Sequence, residues 1–238
     1  VSTESLRIVW IYPDLLSTYG DRGNLLILAH RAAARGIPVE TYEVRSDQQM
    51  PTTADVYLIG GGEDGPQAAA AQRLITDGGL HRAVNQGAAV LAICAGYQLF
   101  GHSFFAKGQK CAGLGLLDLY SDRGPTRAVG ELRGDIDPRL GLPALTGFEN
   151  HGGRTHLGPN ATPLAKVTAG IGNGDQTEGA WAGKILGTYS HGPALARNPA
   201  IADLLLRWST GADRLAPLDD AWAERLRGER LAAAASPA

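Results

Sequence analysis

Residues 90–101 read VLAICAGYQLFG: a short apolar run, one cysteine, then glycine and a helix-forming continuation. Free cysteine is among the most buried residue types, so Cys94 has a bland reading as a core residue. Its sharper reading is a nucleophile held on a tight strand-to-helix turn, where Gly96 lets the backbones pack closely and the start of the helix favours a thiolate. The choice between the two depends on what surrounds this stretch.

Working outward, LRIVWIY (6–12), PVETYEV (38–44), ADVYLIGGG (54–62) and AAVLAI (88–93) have the apolar or alternating character of strands. Between them, NLLILAHRAAARG (24–36) reads as a helix capped by Asn24 or Asp21 and closed by Gly36. PQAAAAQRLITDGGLHRAVNQG (66–87) reads as helical with a break at Gly78–Gly79. Strands alternating with helices predict an α/β fold, an open and mostly parallel sheet with helices on both faces. Ligands of such sheets gather at the carboxyl ends of the strands. Both the glycine triplet at 60–62 and Cys94 fall at such ends.

From residue 111 the pattern changes to short β-like pieces: GLGLLDL, TRAVGELRGDI, LTGFEN, LAKVTAG and GKILGTYSHG. They predict an extension of the same sheet with a small antiparallel lobe. PAIADLLLRWST (199–210) reads as a covering helix. We therefore expect one domain over residues 1–212 and a helical appendage over 213–238 that frays in AAAASPA. Leu218, Trp222 and Leu226 repeat every four residues in that appendage, a stripe suited either to packing on its own domain or to a partner.

Composition narrows the function. With 22 basic and 24 acidic residues the formal charge is −2, and nothing marks a nucleic-acid surface or a basic membrane anchor. Only two cysteines occur, no cationic-then-apolar segment opens the chain, and no run approaches the ~20 apolar residues of a membrane span. The expectation is a cytoplasmic protein. No His/Cys/Asp spacing resembles a zinc site, and no glycine-rich Lys-Ser/Thr loop is present for a nucleoside triphosphate.

The chemistry concentrates at Cys94, at His191 in GTYSHGP and at the glycine triplet. Imidazole is the usual base for a thiol, and backbone N–H groups at Gly60, Gly61 and Gly62, assisted by that of Ala95, are candidate donors to a developing oxyanion. Singly, each is ordinary: a core cysteine, a solvated loop histidine, a turn. Jointly, at strand ends of one sheet, they point to acyl transfer. Cys111 lacks a helix start and a nearby histidine and reads as structural; His30, His81 and His102 read as surface or packing residues.

These residues carry a resemblance. ICAGYQLFG resembles the cysteine elbow of class I glutamine amidotransferases, and GTYSHGP resembles the histidine segment of the branch containing cobyric acid synthase. YPDLLSTYGDRGN, IGGGEDGPQ, GFENHGGRT and GTYSHGPALARNP together resemble the glutaminase subunits (GatD type) of lipid II isoglutaminyl synthases, from residue 6 to about 210. The resemblance implies that Cys94 attacks the glutamine side-chain amide, that His191 shuttles the proton to departing ammonia, and that Arg127, with Gln98 as second candidate, grips the substrate. Glu149, Asn150 and His151 form a polar cluster with either a substrate-adjacent or a loop-fixing role. Many class I members carry a carboxylate two residues after the histidine; here that residue is Pro193. The orienting acid must come from elsewhere in the chain or from a partner subunit.

The resemblance also implies no cofactor in this chain, with ATP and magnesium on a separate Mur-ligase-like synthetase subunit of the MurT type. Together they would form a heterodimer near the inner face of the membrane that amidates the D-glutamate α-carboxyl of lipid II to D-isoglutamine. Two other readings stay open: a glutaminase serving a different amidating synthetase, such as a cobyrinate-type enzyme, and a non-catalytic metabolite-binding module.

Overall fold

The structure, a computed structural model, describes residues 5–18 and 20–233. The alternating first half folds as its pattern dictates: β1 (Leu6–Ile11), α1 (Arg22–Ala33), β2 (Val39–Val44), β3 (Val56–Ile59), α2 (Asp64–Asp77), α3 (Gly79–Asn85), β4 (Ala89–Ile93) and α4 (Ala95–Leu99). The Gly78–Gly79 break is real: Gly78 adopts φ +65° and separates α2 from α3. Strands β3 and β4 are buried along their whole length, as the two-sided cover of a parallel sheet requires.

The second half is β5 (Ser103–Ala106), β6 (Gln109–Ala112), β7 (Leu119–Ile136), β8 (Leu145–Leu157), β9 (Ala165–Ala169), β10 (Thr177–Glu178), β11 (Ala180–Ala182), β12 (Ile185–Thr188), α5 (Ala194–Arg197), α6 (Pro199–Thr210) and α7 (Ala221–Ala233). One sheet has the order β11-β12-β4-β3-β1-β2 and is parallel except for β11. The other has the order β10-β9-β7-β5-β6 with β8 paired to β7, and it is mostly antiparallel.

This second sheet is larger than the small lobe expected. TRAVGELRGDI is only the later part of β7, an 18-residue strand, and LTGFEN opens the 13-residue β8. Their pairing shifts register between Arg123 and Ala128. Such an irregularity bends a long ribbon and re-aims its side chains, and it lies beside Arg127.

In the appendage the two uses offered for the apolar stripe divide: Leu218 is half-buried near Ile27 and Leu195, whereas Trp222 is 79 % exposed and Leu226 is exposed, so these two do not pack on the domain. Polar contacts hold α7 instead. Arg227 donates to the Ala144 carbonyl, Arg133 donates to the Leu231 carbonyl, and Arg31 of α1 bridges Asp203 of α6 and Asp220 just before α7. The frayed end expected at AAAASPA falls, from residue 234 onward, outside the described residues. Among the described residues no helix is long and apolar enough to cross a membrane, and no cluster of His, Cys, Asp and Glu is placed to hold a metal ion.

Candidate active site

Three neighbouring strand ends assemble the site. In the order β12-β4-β3, His191 lies just beyond β12, Cys94 directly follows β4, and the glycine triplet follows β3. Cys94 has φ 54° and ψ −107°, an unfavourable conformation for a residue with a Cβ that costs on the order of 1–3 kcal/mol and persists only where its surroundings enforce it. They do so here: the Cys94 N–H donates to the Thr188 carbonyl at 2.8 Å, and its carbonyl accepts from Gln98 N at 3.0 Å. Gly96 passes so close to β3 that a Cβ there would lie 2.9 Å from both the Gly60 oxygen and an Ile59 methyl. The elbow is therefore pressed against the neighbouring strand end, which explains the glycine two residues after the thiol.

His191 is held from the other side. Its N–H and carbonyl both bond to Phe148 of β8, a two-bond bridge that joins the two sheets at the site. The ring is buried, and Asp21 Oδ1 lies 3.6 Å from its Nδ1. Burial by itself would lower the imidazole pKa; hydrogen-bonding and charge interactions with Asp21 and Cys94 outweigh it and hold the ring up at about 10. At neutral pH His191 is therefore held as the imidazolium beside Asp21 and Cys94.

Asp21 was expected as a helix cap. It stands at the N-cap position of α1, yet its side chain caps nothing, and Asn24 instead accepts from Leu195 N at 3.0 Å. The Asp21 carboxylate turns into the site, where Oδ2 accepts the Gly61 N–H at 2.6 Å. That bond corrects one expectation: the Gly61 N–H is committed to Asp21 and does not face an oxyanion. Gly62 and Ala95 do line the cleft beside Cys94.

The cleft has a volume of about 220 Å³, small enough for an amino-acid-sized ligand. Cys94, Gln98, Arg127, Asn150 and His151 all line it. Arg127 reaches it from the irregular part of β7, with its Nε donating to Asn150 Oδ1 at 2.7 Å. Gln98 is more committed than expected. Its Nε2 donates to the Tyr189 hydroxyl at 3.1 Å and its Oε1 accepts from Gln67 at 2.9 Å. Gln67 also donates to the Ala95 carbonyl at 3.0 Å. Gln98 therefore braces the elbow first and has only its remaining hydrogen and lone pair to offer a ligand.

In the polar cluster, loop fixing accounts for Glu149. Its carboxylate accepts from Ile171 N and Gly172 N and faces His151 Nε2 at 3.1 Å. Burial would raise its pKa, but these donors keep the carboxyl below its usual range. His151 stacks on Tyr189 at 3.6 Å between ring centroids, and its Nδ1 contacts the Gly153 carbonyl at 3.0 Å. Cys111 is half-buried against the core with its sulfur near the Ala106 and Gln109 carbonyls; His81 contacts the Leu114 carbonyl and His102 pairs with Asp118. None of these three lines the cleft.

Two residues of the site escaped sequence reading. Asp21 carried a signal, since DRG just ahead of an apolar periodic run marks a helix start, but that signal points to a cap. Glu178 carried none. Wholly buried, it accepts from Thr188 Oγ1 and from Tyr189 N, and so fixes the segment leading to His191.

A strained cysteine elbow on a parallel α/β sheet, with a buried histidine beside the thiol and a small polar cleft in front of it, defines a thiol-dependent acyl-transfer site of the amidotransferase class. The sequence matches the CobB/CobQ-like glutamine amidotransferase domain over residues 7–199, and the chain belongs to that family. It is 37 % identical over 206 residues to the lipid II isoglutaminyl synthase (glutamine-hydrolyzing) subunit GatD of Staphylococcus aureus, covering 84 % of this chain and 83 % of that one. The GatD subunit of Streptococcus pneumoniae is 34 % identical, with 83 % and 77 % covered. Cobyric acid synthase of Deinococcus radiodurans is 32 % identical over 70 % of this chain but only 34 % of its own length. A crystal structure of a glutamine amidotransferase shares the fold, with TM-score 0.58, 20 % identity, and coverage of 85 % of this chain and 98 % of that one.

Proposed function

We propose that this protein is the glutaminase subunit of a lipid II isoglutaminyl synthase, hydrolysing glutamine to glutamate and ammonia for a synthetase subunit. The observation that carries the chemistry is the strained Cys94 elbow against the strongly basic His191 in an amino-acid-sized cleft. The match to two GatD subunits over most of both chains supports the choice of substrate and partner.

In this reading His191 already holds the proton of the Cys94 thiol as Sγ bonds to the glutamine side-chain carbonyl carbon. The carbonyl electron pair moves onto oxygen, where the N–H groups of Gly62 and Ala95 receive it. The tetrahedral intermediate collapses as His191 returns the proton to nitrogen; the C–N bond breaks, ammonia leaves, and a thioester remains. Water then adds to the thioester carbonyl while His191 takes its proton, and the C–S bond breaks to release glutamate. Arg127 pairs with the glutamine α-carboxylate, a task suited to its planar fork of donors. The synthetase, of Mur-ligase type, phosphorylates the D-glutamate α-carboxyl of lipid II with ATP and magnesium and captures the ammonia. Direct delivery matters because ammonia released into water is protonated and diluted.

The test is amidation of a lipid-linked acceptor by the assembled complex, with glutamine or ammonium as nitrogen source. Cys94→Ser should abolish the glutamine-dependent reaction and leave the ammonium-dependent one. A normally assembled variant complex that ammonium cannot rescue would overturn this division of labour. Amidation of a cobyrinate-type acceptor instead would replace the partner but not the glutaminase chemistry.

A further inference from the structure

The position two residues after the histidine is Pro193, and the structure shows what that proline does. It packs on α1 so tightly that a Cβ at Gly23 would lie 2.1 Å from the Pro193 ring. Gly23 is two residues after Asp21. The contact that replaces a carboxylate on the histidine segment thus seats the start of α1, and a different carboxylate, against the same imidazole.

We propose that Asp21 is the positioning residue for His191, completing a Cys94–His191–Asp21 triad within this single chain and coupling it to the glycine turn through Gly61. The inference rests on the glutaminase reading for its kinetic consequences but not for its geometry. Both Asp21 and His191 are more than nine-tenths buried, so their interaction is little screened by water. Asp21 Oδ2 is fixed by the Gly61 N–H, while the buried Oδ1 makes no closer hydrogen bond than its 3.6 Å approach to Nδ1. That separation is long for a hydrogen bond, as catalytic contacts often are before substrate binds, when they have yet to tighten. A carboxylate at Nδ1 holds the proton on that nitrogen, turns Nε2 toward the nucleophile and stabilises the imidazolium that forms. Chief among the charged or titratable groups acting on the ring are Asp21 from the start of α1 and Cys94 from the elbow. The one carboxylate also spans the histidine and the turn that carries Gly62, so the base and the oxyanion donor move as a unit.

Asp21→Asn separates this role from a purely structural one, because its amide oxygen still accepts the Gly61 N–H while its NH2 faces Nδ1 and selects the wrong tautomer. Expected are a fall in kcat for glutamine of roughly 10²–10⁴-fold with KM changed less than about threefold, and a lower-pH shift in the profile of Cys94 alkylation by iodoacetamide. Asp21→Glu should recover part of the lost kcat. Wild-type kcat and pH profile in a folded Asp21→Asn variant would overturn the proposal, as would a loss expressed in KM alone. A second measurement needs no Asp21 variant: ¹⁵N-histidine spectra of the wild-type chain, with the His191 signal assigned by its absence in His191→Gln. They should show a proton on Nδ1. A neutral ring protonated only on Nε2 would overturn the proposal whether or not the protein turns glutamine over, so this inference and the glutaminase reading fail separately.

Discussion

The two sheets divide the work. The parallel sheet carries the groups to which the proposed reaction assigns the chemistry: Cys94 and the glycine turn at strand ends, and His191 just beyond one. Its central strands are buried throughout, so their ends are rigidly placed. The antiparallel sheet supplies the cleft's far wall, with Arg127 from β7 and Asn150 and His151 from β8. Loss of a group on the first sheet should therefore stop chemistry, whereas loss of one on the second should weaken binding. The seam between the sheets, where Phe148 bonds His191 and Glu178 bonds the Thr188–Tyr189 segment, keeps the two halves in register.

The largest effects that test this division are on the parallel sheet. Cys94→Ser should lose glutamine hydrolysis entirely while folding normally, and mass spectrometry should find a glutamine-like electrophile on Cys94 and not on Cys111. Equal labelling of both thiols would contradict the site. His191→Ala should lower kcat by roughly 10²–10⁴-fold, the usual worth of a positioned general base, and full activity would remove His191 from the mechanism.

On the antiparallel sheet, Arg127→Ala should raise the glutamine KM by about 10- to 100-fold, which corresponds to the ~1.5–3 kcal/mol of a hydrogen bond to a charged group, with kcat less affected. Arg127→Lys should recover only part of this because a point charge lacks the fork geometry. A drop in kcat with unchanged KM would erase the contrast between the sheets.

The seam is tested by pH. Burial, only partly offset by its hydrogen bonds, raises the Glu178 pKa from about 4.5 to about 7. The folded state then binds more protons than the unfolded one across that window. Its relative stabilisation is complete below about 4.5 and is lost as pH rises through about 7. Glu178→Gln keeps an acceptor for Thr188 and Tyr189 but cannot ionise. Denaturant unfolding should show it more stable than wild type at pH 8, by up to about 3 kcal/mol at ~1.4 kcal/mol per pKa unit, with the difference vanishing near pH 4.5. A pH-independent difference would show that Glu178 is not the titrating group.

The smallest effects belong to residues outside both regions. Cys111→Ser and Trp222→Ala should change stability by no more than about 0.5 kcal/mol, since Cys111 is only half-buried and Trp222 is largely exposed. A large loss for Trp222→Ala in thermal unfolding would mean that the stripe on α7 packs where the structure leaves it open.

The sequence by itself determined the parallel half and the elbow. Strand and helix periodicity, the Gly78–Gly79 break and the cysteine after an all-apolar strand are local signals, and each reports a local backbone requirement. The same locality made the second half harder to read: β7 and β8 are long ribbons interrupted by glycines, and short windows divided them into fragments. The cleft and its electrostatics were decided by tertiary structure alone. Asp21 is a cap by its local sequence and a partner of His191 in the fold, where Pro193, 170 residues after Gly23, packs on that glycine. Gly61 reads as an oxyanion donor until Asp21 takes its N–H, and Glu178 matters only because β10 is buried against the segment that ends in His191. A local pattern specifies what one segment can form, whereas a pKa and a hydrogen-bond partner depend on which charges distant segments bring within a few ångströms.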